Sequence, residues 1–210
     1  MKGLFRLLRQ AKPVAADSGH ADSLFFSTAF IELGVDAASM VPWEARANEV
    51  GAKRLSAERG SKLVQELWSK DKYMARLGLE AVQCLEKYFD FATLPANRDV
   101  IRQEEYGNFM LVLLSGSMAI EREQPWGERL HLAYARPGDI LGEMSLLDSG
   151  LRFSICTSLT DCEIAVLSVQ ALDDMMRTDP ALAGSLIALL ARKVSRRLRA
   201  VSARLGSTQN

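Results

Sequence analysis

Near Phe91 the spacing of apolar residues changes, and that change limits the fold more than any other feature of the chain. Before it, Leu63, Val64, Leu67 and Trp68, then Met74, Leu77, Leu79, Val82, Leu85 and Phe89, recur at spacings of three and four, as helices with one buried face require. After it the period shortens and turn residues appear. Candidate strands are 100–102, 109–114, 117–122, 129–135, 153–158 and 163–168. Gly116 sits at a tight crossing, and 124–128, with Pro125 and Gly127, reads as a hairpin loop. Many short strands with Gly and Pro turns fit a jelly-roll barrel. Beyond it, 169–178 reads as a short helix, and Pro180 opens a longer one at a first-turn position. Along that helix Ile187, Leu190, Val194, Leu198, Val201 and Leu205 form an apolar seam, and Gly206 is expected to end it. The expected class is α+β: a β-barrel flanked by helices and preceded by a mainly helical arm.

Within the strand-rich region one stretch, residues 137–154, carries chemistry: P-G-D-I-L-G-E-M-S-L-L-D-S-G-L-R-F-S. Glu143 and Arg152 flank a segment able to begin a helix. A guanidinium together with free backbone N–H groups at a helix start suits a phosphate. Gly142 permits close backbone approach, and Glu143 can accept a hydrogen bond from a ribose hydroxyl.

These residues resemble the phosphate-binding cassette of cyclic-nucleotide-binding domains, found in the catabolite activator family and in regulatory subunits of protein kinase A. Pro137, Gly138, Asp139, Gly142, Glu143, Met144, Ser145, Leu146, Leu147 and Arg152 match its fixed positions. Two positions depart. Phe153 replaces the small residue that normally lies against the phosphate, and Ser154 replaces an alanine. The resemblance extends over about residues 85–205 and implies a ligand site made from Gly142, Glu143, Met144, Ser145, Arg152, Phe153 and Ser154. It adds Ser202 on the long helix, where the catabolite activator places a serine near the adenine; Val201 stands where that protein carries threonine. It also implies that the long helix forms a dimer interface and closes over the ligand.

Composition narrows the remaining classes. At 210 residues the chain accommodates an arm over 1–84 and one barrel domain with its C-terminal helices over 85–210. Formal charge balances to zero, so no global field favours nucleic acid or an anionic membrane. Three separated cysteines, Cys84, Cys156 and Cys162, include no C-x-x-C pair and read as reduced, mostly buried thiols of a cytoplasmic protein. No run approaches a membrane span. Met1 to Lys12 lacks a secretory cleavage site; it reads as a frayed or protein-packed terminus, with a short basic amphipathic helix that docks on a membrane or partner as the alternative. Residues 13–60 read as a partly irregular arm in which Leu24, Phe25, Phe26, Phe30 and Ile31 form a docking patch.

Several residues admit a plainer reading. Arg152 either grips the exocyclic phosphate or closes a salt bridge inside a barrel without ligand. Phe153 either turns away from the pocket or fills it; strand alternation puts it opposite Arg152. Ser202 is either a base contact or a solvent-facing helical serine. Arg192, Lys193, Arg196, Arg197, Arg199 and Arg204 read as the solvated face of an amphipathic helix, since no aromatic stacking platform accompanies them. His20 and His131 are too few for a metal-binding cupin, and no catalytic motif is present.

The expected function is a non-enzymatic sensor that takes a cyclic mononucleotide such as cAMP as ligand, uses no cofactor or metal, and signals through its C-terminal helices to a protein partner or a second copy in a homodimer. A ligand-free barrel acting as a dimerisation and interaction module is the alternative. A transcription regulator of the catabolite activator type is a third. DNA binding is not expected, because the chain leaves no room for a helix-turn-helix after the long helix.

Overall fold

The arm is more ordered than its weak periodicity suggests. In the computed structural model, which describes residues 25–207, it holds α1 (Phe25–Glu32), β1 (Met40–Val41), α2 (Trp43–Val50), β2 (Lys53–Arg54), α3 (Ala57–Lys70) and α4 (Leu79–Leu85). Helices of eight residues are marginal alone, and here each is organised by a distant element. The Asp173 carboxylate accepts the Phe26 and Ser27 N–H groups at 2.8 and 2.9 Å, capping α1, while Phe26 and Phe30 are buried. Trp43 and Val50 bury the inner face of α2. The Met1 to Lys12 segment, His20 and Leu24 lie outside the described residues.

The helical run that the spacing from Leu63 onward predicts begins at Ala57, where the Ser56 hydroxyl accepts the Arg59 N–H as a cap. Strands then follow: β3 (Asp90–Leu94), β4 (Asp99–Ile101), β5 (Tyr106–Gly107), β6 (Phe109–Ser115), β7 (Met118–Glu123), β8 (Arg129–Ala135) and β9 (Ile140–Leu141). The cassette supplies α5 (Glu143–Asp148), and β10 (Ile155–Ser158) and β11 (Cys162–Ser168) complete the sheets. Helix α6 spans Val169–Thr178 and α7 spans Pro180–Ser207, one residue past the expected stop at Gly206.

Two antiparallel sheets, in orders β2-β3-β11-β6-β9 and β4-β10-β7-β8, face each other as a sandwich. Among the described residues no ladder joins their edges, so the expected barrel is an open roll. Parallel pairing of β1 with β5 ties the arm to the roll. The unbroken apolar run of β6 follows from burial on both faces. Phe109, Leu111 and Leu113 face the inter-sheet core with Val100, Ile101 and Cys156, whereas Met110, Val112 and Leu114 pack with Trp68, Phe91 and Leu186 under the helices.

Helix α7 changes character along its length. Leu182, Ala183, Leu186, Leu189 and Leu190 are buried, whereas Leu198, farther along the same seam, is 65% exposed. The basic residues there are not simply solvated. Lys193 pairs with Asp71 at 3.1 Å, Arg196 donates to the Tyr73 hydroxyl and lies 4.7 Å from its ring centroid, and Arg197 reaches the cassette. Burial alone would raise the Asp71 carboxyl, but the Met74 and Tyr73 N–H groups and the Lys193 ammonium hold it below its ordinary value. Among the described residues no helix is long and apolar enough to cross a membrane.

Candidate functional site

The chain turns sharply at Gly142, with φ +78°, to start α5 directly from the end of β9, and no side chain caps the first turn. This turn brings Glu143 inward, where it is buried together with Ser145 and Leu146, while Met144 stays partly exposed. Ser149, also left-handed with φ 55°, ends α5 and returns the chain toward Arg152. The cassette is thus a compact excursion between β9 and β10, with Glu143 and Arg152 at its two ends.

Arg152 is 4% exposed. It donates through Nη1 to the Gly142 carbonyl at 2.8 Å and through Nη2 to the Phe109 carbonyl at 2.5 Å, and its guanidinium lies 4.8 Å from the Phe109 ring centroid. No carboxylate forms a salt bridge with it among the described residues. Burial pulls the guanidinium down to about 10, opposed first by Cys156 and then by Glu105 and Glu143. Even so it remains charged at neutral pH. A buried cation that meets carbonyl dipoles and a ring face but no carboxylate leaves an uncompensated positive potential able to attract an anion.

Glu143 does have a charged partner. Arg197 of α7 donates to its Oε1 at 2.7 Å, so this carboxylate ties the cassette to the last helix. Periodicity placed Arg197 on a polar helical face; nothing in its spacing pointed to a residue 54 positions away.

The other expected site residues are distributed as follows. Phe153 turns away from Arg152: it is 52% exposed, and the Arg122 guanidinium stacks 4.1 Å from its ring centroid. The divergence matches the expected one, but not through strand alternation: neither residue lies in a strand, since β10 begins at Ile155 and not at Phe153. Ser154 is half-buried, and its hydroxyl contacts the Cys156 thiol, which burial pushes up to about 12. Ser202 is exposed on α7, beyond Arg197, and no contact with the cassette is made by it among the described residues. Of the thiols, Cys156 and Cys162 are buried as expected, but Cys84 on α4 is exposed. No cluster of metal-ligating side chains occurs among the described residues. His131 lies on β8 with its ring centroid 4.2 Å from that of Tyr134.

Comparison with known proteins agrees with this geometry. The family pattern described as "Cyclic nucleotide-binding domain" matches residues 91–179. A Cyclic AMP receptor protein of Thermus thermophilus is 31% identical over 118 residues, covering 56% of this chain and 55% of that protein. A CRP-like cAMP-activated global transcriptional regulator of Mycobacterium tuberculosis is 28% identical over 132 residues, covering 60% and 59%. The chain therefore spans between half and two thirds of the length of these relatives. Among solved structures, a cyclic nucleotide-binding domain from Methylobacillus flagellatus superposes with TM-score 0.67 at 23% identity, over 76% of this chain and 90% of that one. The Thermus thermophilus Catabolite Activator Protein gives 0.56 at 29% identity, over 68% and 62%. The fold, the cassette carrying Glu143 and Arg152 at its two ends, and the sequence match all coincide, and residues 91–179 form a domain of the cyclic nucleotide-binding family.

Proposed function

We propose that this domain is a non-enzymatic sensor of a cyclic mononucleotide, cAMP or a close analogue. The reading rests chiefly on one observation: Arg152 is a buried guanidinium with no acidic partner among the described residues, and it lies in the cassette that the phosphate would occupy. The exocyclic phosphate oxygens replace the Gly142 and Phe109 carbonyls as acceptors, exchanging neutral for charge-assisted hydrogen bonds. The ribose hydroxyl donates to Glu143. Because Arg197 already holds that carboxylate, a ligand at Glu143 changes the environment of α7 directly. Occupancy is thereby relayed to the helix, to the extent that the ligand binds its two positions unequally. The exposed continuation of the seam at Leu198 supports pairing of α7 with a second copy as part of the output.

A second reading is favoured by the same contacts. Arg152 and Glu143 are both satisfied by protein groups, as in a ligand-free interaction module. Calorimetry of the full chain with cAMP and with cGMP separates the two. Saturable heat that disappears in a folded Arg152→Ala variant supports the sensor, whereas no heat at millimolar nucleotide refutes it. If binding survives Arg152→Ala, the phosphate assignment is wrong.

A further inference from the structure

Helix α2 lies outside the 91–179 match, yet it carries the most deeply buried arginine of the described chain. Arg46 is 1% exposed; its Nη1 donates to Glu49 Oε2 at 2.7 Å and its Nη2 to Glu105 Oε2, and its Nε finds no acceptor among the described residues. Arg102 bonds Glu49 and lies 3.9 Å from Glu105 Oε1, closing a four-charge network across α2 and the loop after β4.

That loop is the main-chain frame of Arg152. The Arg152 N–H donates to the Glu105 carbonyl at 2.9 Å, and the Glu104 N–H donates to the Arg152 carbonyl at 2.9 Å. Glu104 adopts φ +64°, a left-handed conformation that a non-glycine residue keeps only when its surroundings impose it. Three residues on, Gly107 leaves room for the guanidinium: a Cβ there would fall 2.4 Å from Arg152 Nε. Gly107 is in turn paired with Val41 in the β1–β5 ladder that leads into α2. A third link is aromatic. The Trp43 ring meets Phe109 edge-on at 5.5 Å, and Phe109 is the ring on which Arg152 rests.

We infer that α2 is a working part of the ligand site, with Arg46 the positioning residue that fixes the 103–107 loop and, through it, the phosphate-binding guanidinium of Arg152. The arm then does more than precede the domain: it sets how well the cassette is preorganised. This inference rests on the sensor reading of Arg152, and its test separates the two.

The experiment compares wild type, Arg46→Met, Glu105→Gln and the double variant by calorimetry with cAMP and cGMP, below the melting temperature of each. Arg46→Met and Glu105→Gln should each weaken binding about tenfold, the lower end of what outer-shell partners of a ligating group contribute. The double variant should lose no more than either single one, because both break the same link. Arg46→Lys, which restores a cation without the fork, should recover part of the affinity. A purely structural role would lower the melting temperature and leave the affinity of the folded protein unchanged, which would overturn the inference.

If wild type binds neither nucleotide, the sensor reading fails, and the positional claim is read separately. The Arg152 Nε–Hε signal, identified in nitrogen-15 spectra by its loss in Arg152→Lys, should shift or broaden in Glu105→Gln and Arg46→Met. An unmoved signal in a folded variant would refute positioning whatever the ligand.

Discussion

Replacing Gly142 with alanine should expose how tightly the guanidinium is held, because two separable costs meet there. The first is backbone strain: with φ +78°, an alanine must enter the left-handed region, at about 1 kcal/mol. The second is a collision. An added Cβ would fall 2.5 Å from Arg152 Nη1 and 3.1 Å from Ile101 Cδ1. Elsewhere a flexible arginine would swing aside, but this guanidinium is buried and bonded to the very residue being changed. Losing a hydrogen bond from a charged donor costs about 2 kcal/mol, for a total near 3 kcal/mol. In a chain of this size that is a drop of about 10 °C in melting temperature.

Two further substitutions resolve the sum. At Gly34, φ is +74° and nothing lies within 4 Å of the added Cβ, so Gly34→Ala carries strain alone and should cost about 1 kcal/mol. Gly107→Ala adds no left-handed strain but meets Arg152 Nε at 2.4 Å, so it should cost about 2 kcal/mol through the same guanidinium. Urea unfolding with constant m-values reads all three. In an Arg152→Met background the cost of Gly142→Ala should fall to that of Gly34→Ala. The described packing of Arg152 is refuted if Gly142→Ala costs no more than Gly34→Ala in the native background.

Three other outcomes are expected. Stability should fall between pH 9 and 10, by up to about 1.4 kcal/mol per unit from Cys156, since its unfolded thiol ionises near 9 while the folded one is pushed up to about 12 and the unfolded chain then binds fewer protons. Cys162 acts in the same direction, whereas Arg152, lowered to about 10, releases its proton earlier when folded and offsets the fall above pH 10; Cys156→Ala should flatten the urea midpoint between pH 8 and 10. Asp173→Ala removes the cap of α1 and should cost about 1–2 kcal/mol, with amide exchange accelerating over residues 26–32 but not in β6; uniform acceleration would show that the arm is not a separately docked unit. Phe153→Ala should cost under about 1 kcal/mol, because only a half-exposed stack on Arg122 is lost, while Phe109→Ala should cost about 3–5 kcal/mol; equal losses would place Phe153 inside.

The features legible in the chain are those whose information is local. The bounds of α6 and β8 and the start of α7 at Pro180 follow from apolar period and turn residues within a few positions of each end. The cassette was readable because all of its parts, from the Pro137 turn to Arg152, lie in one short stretch.

What the sequence could not disclose is how distant charges are paired. Arg197 meets Glu143 across 54 positions, Arg46 meets Glu105 across 59, and Asp173 caps α1 across 147. A charge on a helical face looks the same in sequence whether it faces water or a buried carboxylate, because periodicity reports only the hydrophobic side of a helix. The eight-residue helices of the arm were obscured for a related reason: their stability comes from packing and not from propensity, so no local pattern announces them. By itself, then, the amino-acid sequence determined the strand-rich domain, its flanking helices and the place of the cassette. Only the tertiary structure decided which cation closes on Glu143, which loop frames Arg152, and how α2 meets that loop, since each depends on chain segments brought together by the buried core.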